Sequence, residues 1–487
     1  MTQKLTYLTY KIALKTEITT AELFKAYSGE DYKLSKRFLY KFDKATKLWT
    51  DTTDDFIIFD ISQWILTKQI EYTNELNEKL KENPNETQDI FKQIATIAKD
   101  TPKITCFSHL TRVYKFLTKL INDDEFVTKL NHEYPLFLPI KNGLIVDLTT
   151  SITSPREKHH LFSYECPVEI TTKKTDFFNN FINSIMLDDV ENIHYLQRIL
   201  GYTLSGSLKA RSFFIFFGNG KNGKSIIMLL MKAVLNSSYK QIMKEVFIQT
   251  NKSSHVETME VKGARMCVLN ELNCDEKINE SLVKSLTGGD PISARPLYKD
   301  VITFQPIAKI YICTNNKPNF NGDDQACIDR VKLIPFNARF VENPIKSNER
   351  PCILNIDKIL IDEHIDEWFS WLLVGAKNYF HDNQLNPPAS IKNAENEYIA
   401  EQSSFKSWVA ESIIETDKNR LNRAIACLHY EKYCSENSLK TEKKKKFYSL
   451  MMENYTCLKT NGIDCYRDID IKKAEATTET IFNDLDG

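Results

Sequence analysis

The stretch Phe213–Leu235, FFIFFGNGKNGKSIIMLLMKAVL, decides the fold. Five apolar residues, the length of a buried strand, break into three glycines and two lysines, and an apolar helical run follows. Gly218-Asn219-Gly220-Lys221-Asn222-Gly223-Lys224-Ser225 fits G-x-x-x-x-G-K-[ST] between the strand and helix that the pattern requires. Glycines let such a loop turn its N–H groups toward phosphate, and the helix behind it presents its positive end to the same charge. This reading places Lys224 on the β- and γ-phosphates of a nucleotide and Ser225 on Mg²⁺. A glycine turn with a solvated lysine is the plainer alternative, against which the flanking strand and helix both speak.

Downstream, ARMCVLNELN (Ala264–Asn273) is an apolar run ending in Glu271, a carboxylate placed to orient Mg²⁺ and polarise water. A surface glutamate at a strand end is the alternative. AKIYICTNNKP (Ala308–Pro318) is a second apolar strand; Asn315 just beyond it either holds the γ-phosphate or the lytic water, or only makes the turn before Lys317-Pro318. Between them, ISARPL and VITFQP flank Tyr298-Lys299-Asp300 and predict a hairpin with a basic tip. Alternating strand and helix patterns from Arg211 to about Phe340 predict a doubly wound α/β sheet.

Outward from this core, Asp176–Gly206 repeats helical spacing twice around Asp188-Asp189. Further upstream, Phe38–Asp51 predicts a hairpin, Ile61–Lys99 helices, and Phe137–Thr150 a strand entered through an Asn-Gly turn. Asp54-Asp55 reads as a solvated bend. On the C-terminal side, His364–Phe380 is an amphipathic helix and Asn386–Ser390 a boundary. Arg420–Asn437 and Lys443–Tyr455 predict helices, and the Asn461-Gly462 turn predicts a hairpin after them. Helix, turn, helix and hairpin suggest a winged-helix module, and Lys443, Lys444, Lys445 and Lys446 at a helix start invite an anionic partner such as DNA phosphate.

With 487 residues the chain is long enough for about three domains. A net charge of -1 excludes general attraction to nucleic acid and leaves only local basic surfaces. Eleven cysteines without a C-x-x-C pair predict reduced, buried thiols rather than a zinc site. No secretory signal is evident in MTQKLTYLTYKIALKTEITT and no apolar run reaches about 18 residues, so a cytoplasmic location, the host's if the source is viral, and no membrane partner are expected.

In order, GNGKNGKS, NELN, LVKSLTGGDPISARPLYKD, ICTNNKP and DRVKLIPF resemble the superfamily 3 helicases, in the branch of poxvirus-type and satellite-phage primase-helicases. IKNGLIVDLTT and YLQRILGYTLSG are similar to segments preceding the core in that branch. The resemblance implies a hexameric AAA+ ring that hydrolyses ATP with Mg²⁺, moves on single-stranded DNA and unwinds a fork. It assigns Lys224 and Ser225 to Walker A, Glu271 to Walker B, Asn315 to sensor 1, Arg330 to an arginine reaching the neighbouring subunit's ATP, and Arg295 and Lys299 to the DNA-tracking hairpin. Pairing with Asp323 or Asp324 is the alternative for Arg330. Two departures stand out: Asn270 and Leu272 flank Glu271 where many relatives have a second acid, and Asp329 stands where many have a first arginine.

The expected organisation is an α+β N-terminal domain (1–170), a helical collar (171–210), the AAA+ core (211–345), a helical lid and linker (346–400) and the winged helix (401–487). No strand carries paired catalytic aspartates followed by a histidine motif, so a separate primase or polymerase partner is expected. An ATP-controlled origin-binding initiator or loader that does not itself unwind remains an alternative, and a small-molecule kinase a distant third.

Overall fold

A computed structural model describes residues 16–28, 30–82, 87–248, 257–270, 278–294, 301–318, 320, 325–402, 404–437, 441–460 and 462–472. Its centre is a five-stranded, wholly parallel sheet, whose strands we number β1 (Phe213–Phe217), β2 (Tyr239–Gln241), β3 (Met266–Asn270), β4 (Lys309–Thr314) and β5 (Val331–Pro335), in the spatial order β5-β1-β4-β3-β2. Both faces are covered, so these strands read as near-continuous apolar runs; Phe213 to Phe216 are all fully buried. Phe217 pairs with Thr314 and Pro335, and Cys313 with Asn270, so the C-terminal ends of four strands share one edge.

One face carries helices Asp176–Ile185, Val190–Thr203, Lys224–Leu235 and Ile365–Asp382 in a single core. Thr175 and Asp189 cap the first two, their side chains accepting from Phe178 N–H and Asn192 N–H. The other face holds helix Glu280–Gly288 and Tyr398, whose hydroxyl donates to the Pro318 carbonyl. Tyr398 lies in helix Ala389–Gln402, so the chain beyond Asn386–Ser390 returns to the sheet before leaving it.

Upstream, the Phe38–Asp51 hairpin forms as read (Phe38–Asp43 with Leu48–Asp51), and Phe137–Ile140 pairs antiparallel with Leu144–Asp147. Helices run over Asp54–Glu82 and Thr87–Ile104. Asp54-Asp55 is not a bend: it opens the 29-residue helix, where carboxylates favour the positive end, and Asp54 accepts from the Tyr114 hydroxyl at 2.5 Å. Arg265 is fully buried and joins this region to the sheet. Its guanidinium donates to the Pro135 and Phe137 carbonyls at 2.6 and 2.9 Å and to the Tyr164 hydroxyl at 3.0 Å.

At the other end, helices Ser404–Ser412, Arg423–Glu436 and Lys444–Asn454 pack with a three-stranded antiparallel sheet, Ile413–Asn422, Ile463–Ile471 and Cys457–Thr460, around Trp408, Tyr430 and Phe447. Strand Ile413–Asn422 takes in Arg420–Asn422, which helical spacing had assigned to the next helix; Asn422 caps that helix instead, accepting from Ala424 and Ile425 N–H. All ten described cysteines are free thiols. Among the described residues no helix is long and apolar enough to cross a membrane.

Candidate nucleotide site and its surroundings

The loop after β1 follows the sheet edge before turning into helix Lys224–Leu235. Gly218 N–H donates to the Thr314 carbonyl at 3.3 Å, Phe340 N–H to the Lys221 carbonyl at 2.7 Å, and Asn222 Nδ2 to the Phe336 carbonyl at 3.4 Å. The loop is therefore held by β4 on one side and by the segment following β5 on the other. Gly218 is required by that approach: a Cβ there would lie 2.5 Å from the Phe336 carbonyl oxygen. Gly220 and Gly223 take positive φ, 74° and 86°.

Lys224 is buried, and its amine donates to the Gly218 carbonyl and, at 3.2 Å, to Asn315 Oδ1. Burial holds its pKa below the ordinary lysine value, and no carboxylate among the described residues is within ion-pair distance. A buried cation with only neutral acceptors is what an incoming polyanion would neutralise. Ser225 is exposed beside it. These residues line an open cleft of about 550 Å³ that continues along Met228, Leu229 and Lys232 to Tyr239 and Gln241. The continuation was not read from the sequence, though Lys224, Met228 and Lys232 at i, i+4 and i+8 mark that helix face.

Asn315 is thus brought to Lys224, while Glu271 directly follows β3, whose end reaches the same edge, but itself lies outside the described residues. Arg295 and Lys299 also lie outside them; the strands of their hairpin are present as Ile292–Ala294 and Ile302–Phe304, antiparallel. Ala294, Ile302 and Phe304 are buried against Tyr40, Trp49 and Phe126 of the N-terminal region.

Arg330 sits apart from the loop. Its Nε donates to Thr287 Oγ1 at 3.1 Å and one terminal nitrogen to the Ala326 carbonyl at 2.5 Å, while Asp323 and Asp324 are outside the described residues. Lys443 caps helix Lys444–Asn454, so the four lysines lie at a helix N-terminus, where Lys444 pairs with Glu431 at 3.7 Å.

Buried cations that the sequence analysis did not single out include Arg265, above, Arg156, which donates to the Thr46 carbonyl at 2.6 Å and to Glu165, and Lys309. The Lys309 amine donates to the Ser205 and Ile307 carbonyls and lies 4.7 Å from the Tyr202 ring centre. Burial drives its pKa well below the lysine norm. Lys309 opens β4 and Arg265 immediately precedes β3, so both border apolar runs whose pattern gives no sign of a partner.

A sequence family described as a family of unknown function (DUF5906) matches residues 216–330. Among curated relatives, "Putative helicase L207/L206" of Acanthamoeba polyphaga mimivirus is 26% identical over 375 residues, 74% of this chain and 38% of the relative. "Primase D5" of Fowlpox virus (strain NVSL) is 25% identical over 226 residues, 44% of this chain and 28% of the relative. The chain thus spans well under half of each of these relatives. The solved C-terminal region of NrS-1 is similar at 10% identity and a TM-score of 0.46, over 93% of this chain and 99% of that one. The viral relatives bear out the resemblance to the poxvirus-type branch of superfamily 3 helicases.

Proposed function

We propose that the chain is an ATP-dependent DNA helicase subunit with an AAA+ core, acting as a hexameric ring on single-stranded and forked DNA in the host-cell cytoplasm. The observation that carries this reading is the buried Lys224 amine, held between Gly218 and Asn315 at the shared edge of four parallel strands. A triphosphate cradled by residues 218–225 gives that amine charged oxygens in exchange for the Asn315 amide oxygen. Asn315 is then free to orient the attacking water. Ser225 and Glu271 would hold Mg²⁺, which neutralises charge developing on the phosphates.

Arg330 supplies a cation to a neighbour's site, and Arg295 and Lys299 contact the DNA strand. The C-terminal unit, with its three helices and antiparallel sheet, fits a winged helix, with Lys443–Lys446 directed at phosphate. The domain division 1–170, 171–210, 211–345, 346–400 and 401–487 follows the same reading, with a primase or polymerase as partner. A separate core in the C-terminal unit also suits an origin-binding initiator or loader.

The test is displacement of a labelled strand from forked DNA. ATP-dependent displacement lost in Lys224→Ala supports the helicase; ATP hydrolysis and duplex binding without displacement favour the initiator.

A further inference from the structure

We infer that Thr287 is the residue that positions Arg330 for a neighbouring subunit's nucleotide. This rests on the role in trans proposed above for Arg330 and adds the contact on which that role depends. Thr287 is a positioning residue, since it touches the guanidinium and not the reacting atoms. It is buried in the last turn of helix Glu280–Gly288, whose negative end favours a cation beside it.

The one hydroxyl proton of Thr287 is committed to its own helix, going to the Val283 carbonyl at 2.7 Å with the Lys284 carbonyl at 3.4 Å. That leaves the oxygen's lone pairs for Arg330, whose Nε–H donates to it at 3.1 Å. The guanidinium's second hold is the Ala326 carbonyl, at 2.5 Å from one terminal nitrogen. Both acceptors are neutral, so the cation is oriented without being neutralised and keeps its charge for an external anion. Its other terminal nitrogen has no partner among the described residues. The same helix leads, through Gly289 at φ 80°, into strand Ile292–Ala294. Thr287 thus stands between Arg330 and the hairpin proposed to contact DNA, and turnover on DNA is the quantity it should control.

Thr287→Val keeps the side chain's size and leaves the Val283 carbonyl its helical N–H, but removes the acceptor for Arg330. With single-stranded DNA present, it should lower steady-state ATP turnover by the full chain about tenfold, with KM within about twofold of wild type. Thr287→Ser, which keeps the hydroxyl, should stay within about threefold of wild type. Thr287→Val and Arg330→Ala are then each mixed with excess Lys224→Ala, whose own site is disabled but whose Thr287 and Arg330 are intact. Turnover per Thr287→Val subunit should rise severalfold, because its neighbours now present a well-held arginine, and Arg330→Ala should be rescued in the same way. A merely structural defect in Thr287→Val would not respond to its neighbours. Rescue of Arg330→Ala without rescue of Thr287→Val would overturn the positioning role while leaving Arg330 standing. So would a Thr287→Val turnover within about twofold of wild type, or a Thr287→Ser as slow as Thr287→Val. A wild type without turnover, or an Arg330→Ala that is not rescued, would instead remove the role in trans and this inference with it.

Discussion

The Phe213 N–H donates to the Arg330 carbonyl at 2.9 Å, which puts Arg330 at the starting end of the sheet, while the glycine loop leaves from the finishing end. The five residues of β1, spanning about 13 Å, separate those edges, and the Arg330 side chain is turned onto Thr287 and Ala326. Arg330 is therefore remote from its own chain's glycine loop, as the proposed role at a neighbour's nucleotide requires. Arg330→Ala should bind ATP within about twofold of wild type yet lose about 10³-fold or more in turnover. Mixed with wild type, it should depress hydrolysis more steeply than its mole fraction. A strictly proportional decline would remove the role in trans.

Lys224 is buried with no counter-charge among the described residues, so Lys224→Ala removes a desolvated cation along with its two acceptor contacts. Thermal stability without ligand should stay level or rise slightly. MgATP at a hundred times the wild-type Kd should stabilise wild type by about 2.7 kcal/mol and the variant by nothing measurable. Thermal melts with and without MgATP check both; equal ligand shifts would show that phosphate binds elsewhere.

Asn315 is positioned more lightly, its side chain held among the described residues by a single hydrogen bond from Lys224. If it orients water, Asn315→Ala should lower kcat by about 10²-fold with KM changed less than about threefold. Steady-state hydrolysis decides: a rise in KM at constant kcat would make it a binding residue only.

Much of this was legible because the determining interactions are local. Gly218–Ser225 declares its own strand, loop and helix, and the parallel sheet follows from apolar runs that end at Phe217, Asn270 and Thr314. What stayed hidden depends on distant partners. Strand Ile413–Asn422 is mostly polar and exposed and owes its shape to pairing with Ile463–Ile471, across an irregularity between Glu415 and Arg420. The helix opened by Asp54 needs Tyr114, sixty residues away. The hydrogen bond from Phe340 N–H to the Lys221 carbonyl comes from a segment without a motif.

Helices Val190–Thr203 and Ile365–Asp382 cross so closely that a Cβ on Gly375 would fall inside the Gln197 carbonyl, which is backbone and cannot swing aside. Neither Gly375 nor Gly201, which faces Ala376 in the same crossing, stands out in the sequence. Gly375→Ala should cost about 3 kcal/mol or more by forcing the helices apart, read as a lower denaturation midpoint in urea. A cost under about 1 kcal/mol would mean that the crossing tolerates separation.

Lys262 lies three residues before Arg265, and burial pushes its pKa down to about 8, with Asp51 opposing the shift. The unfolded chain keeps that proton to about 10.5. Between the two values the unfolded state binds more protons than the folded one, so stability should climb with pH across roughly 8 to 10.5, by at most about 1.4 kcal/mol per unit from this residue. Lys309 shifts in the same direction, so the wild-type slope alone does not identify Lys262. Lys262→Met should remove its share, making the pH 8 to 10 rise in urea stability shallower than in wild type. Parallel curves for the two proteins would show that Lys262 keeps its proton in the folded chain, paired with Asp51 closely enough to outweigh its burial.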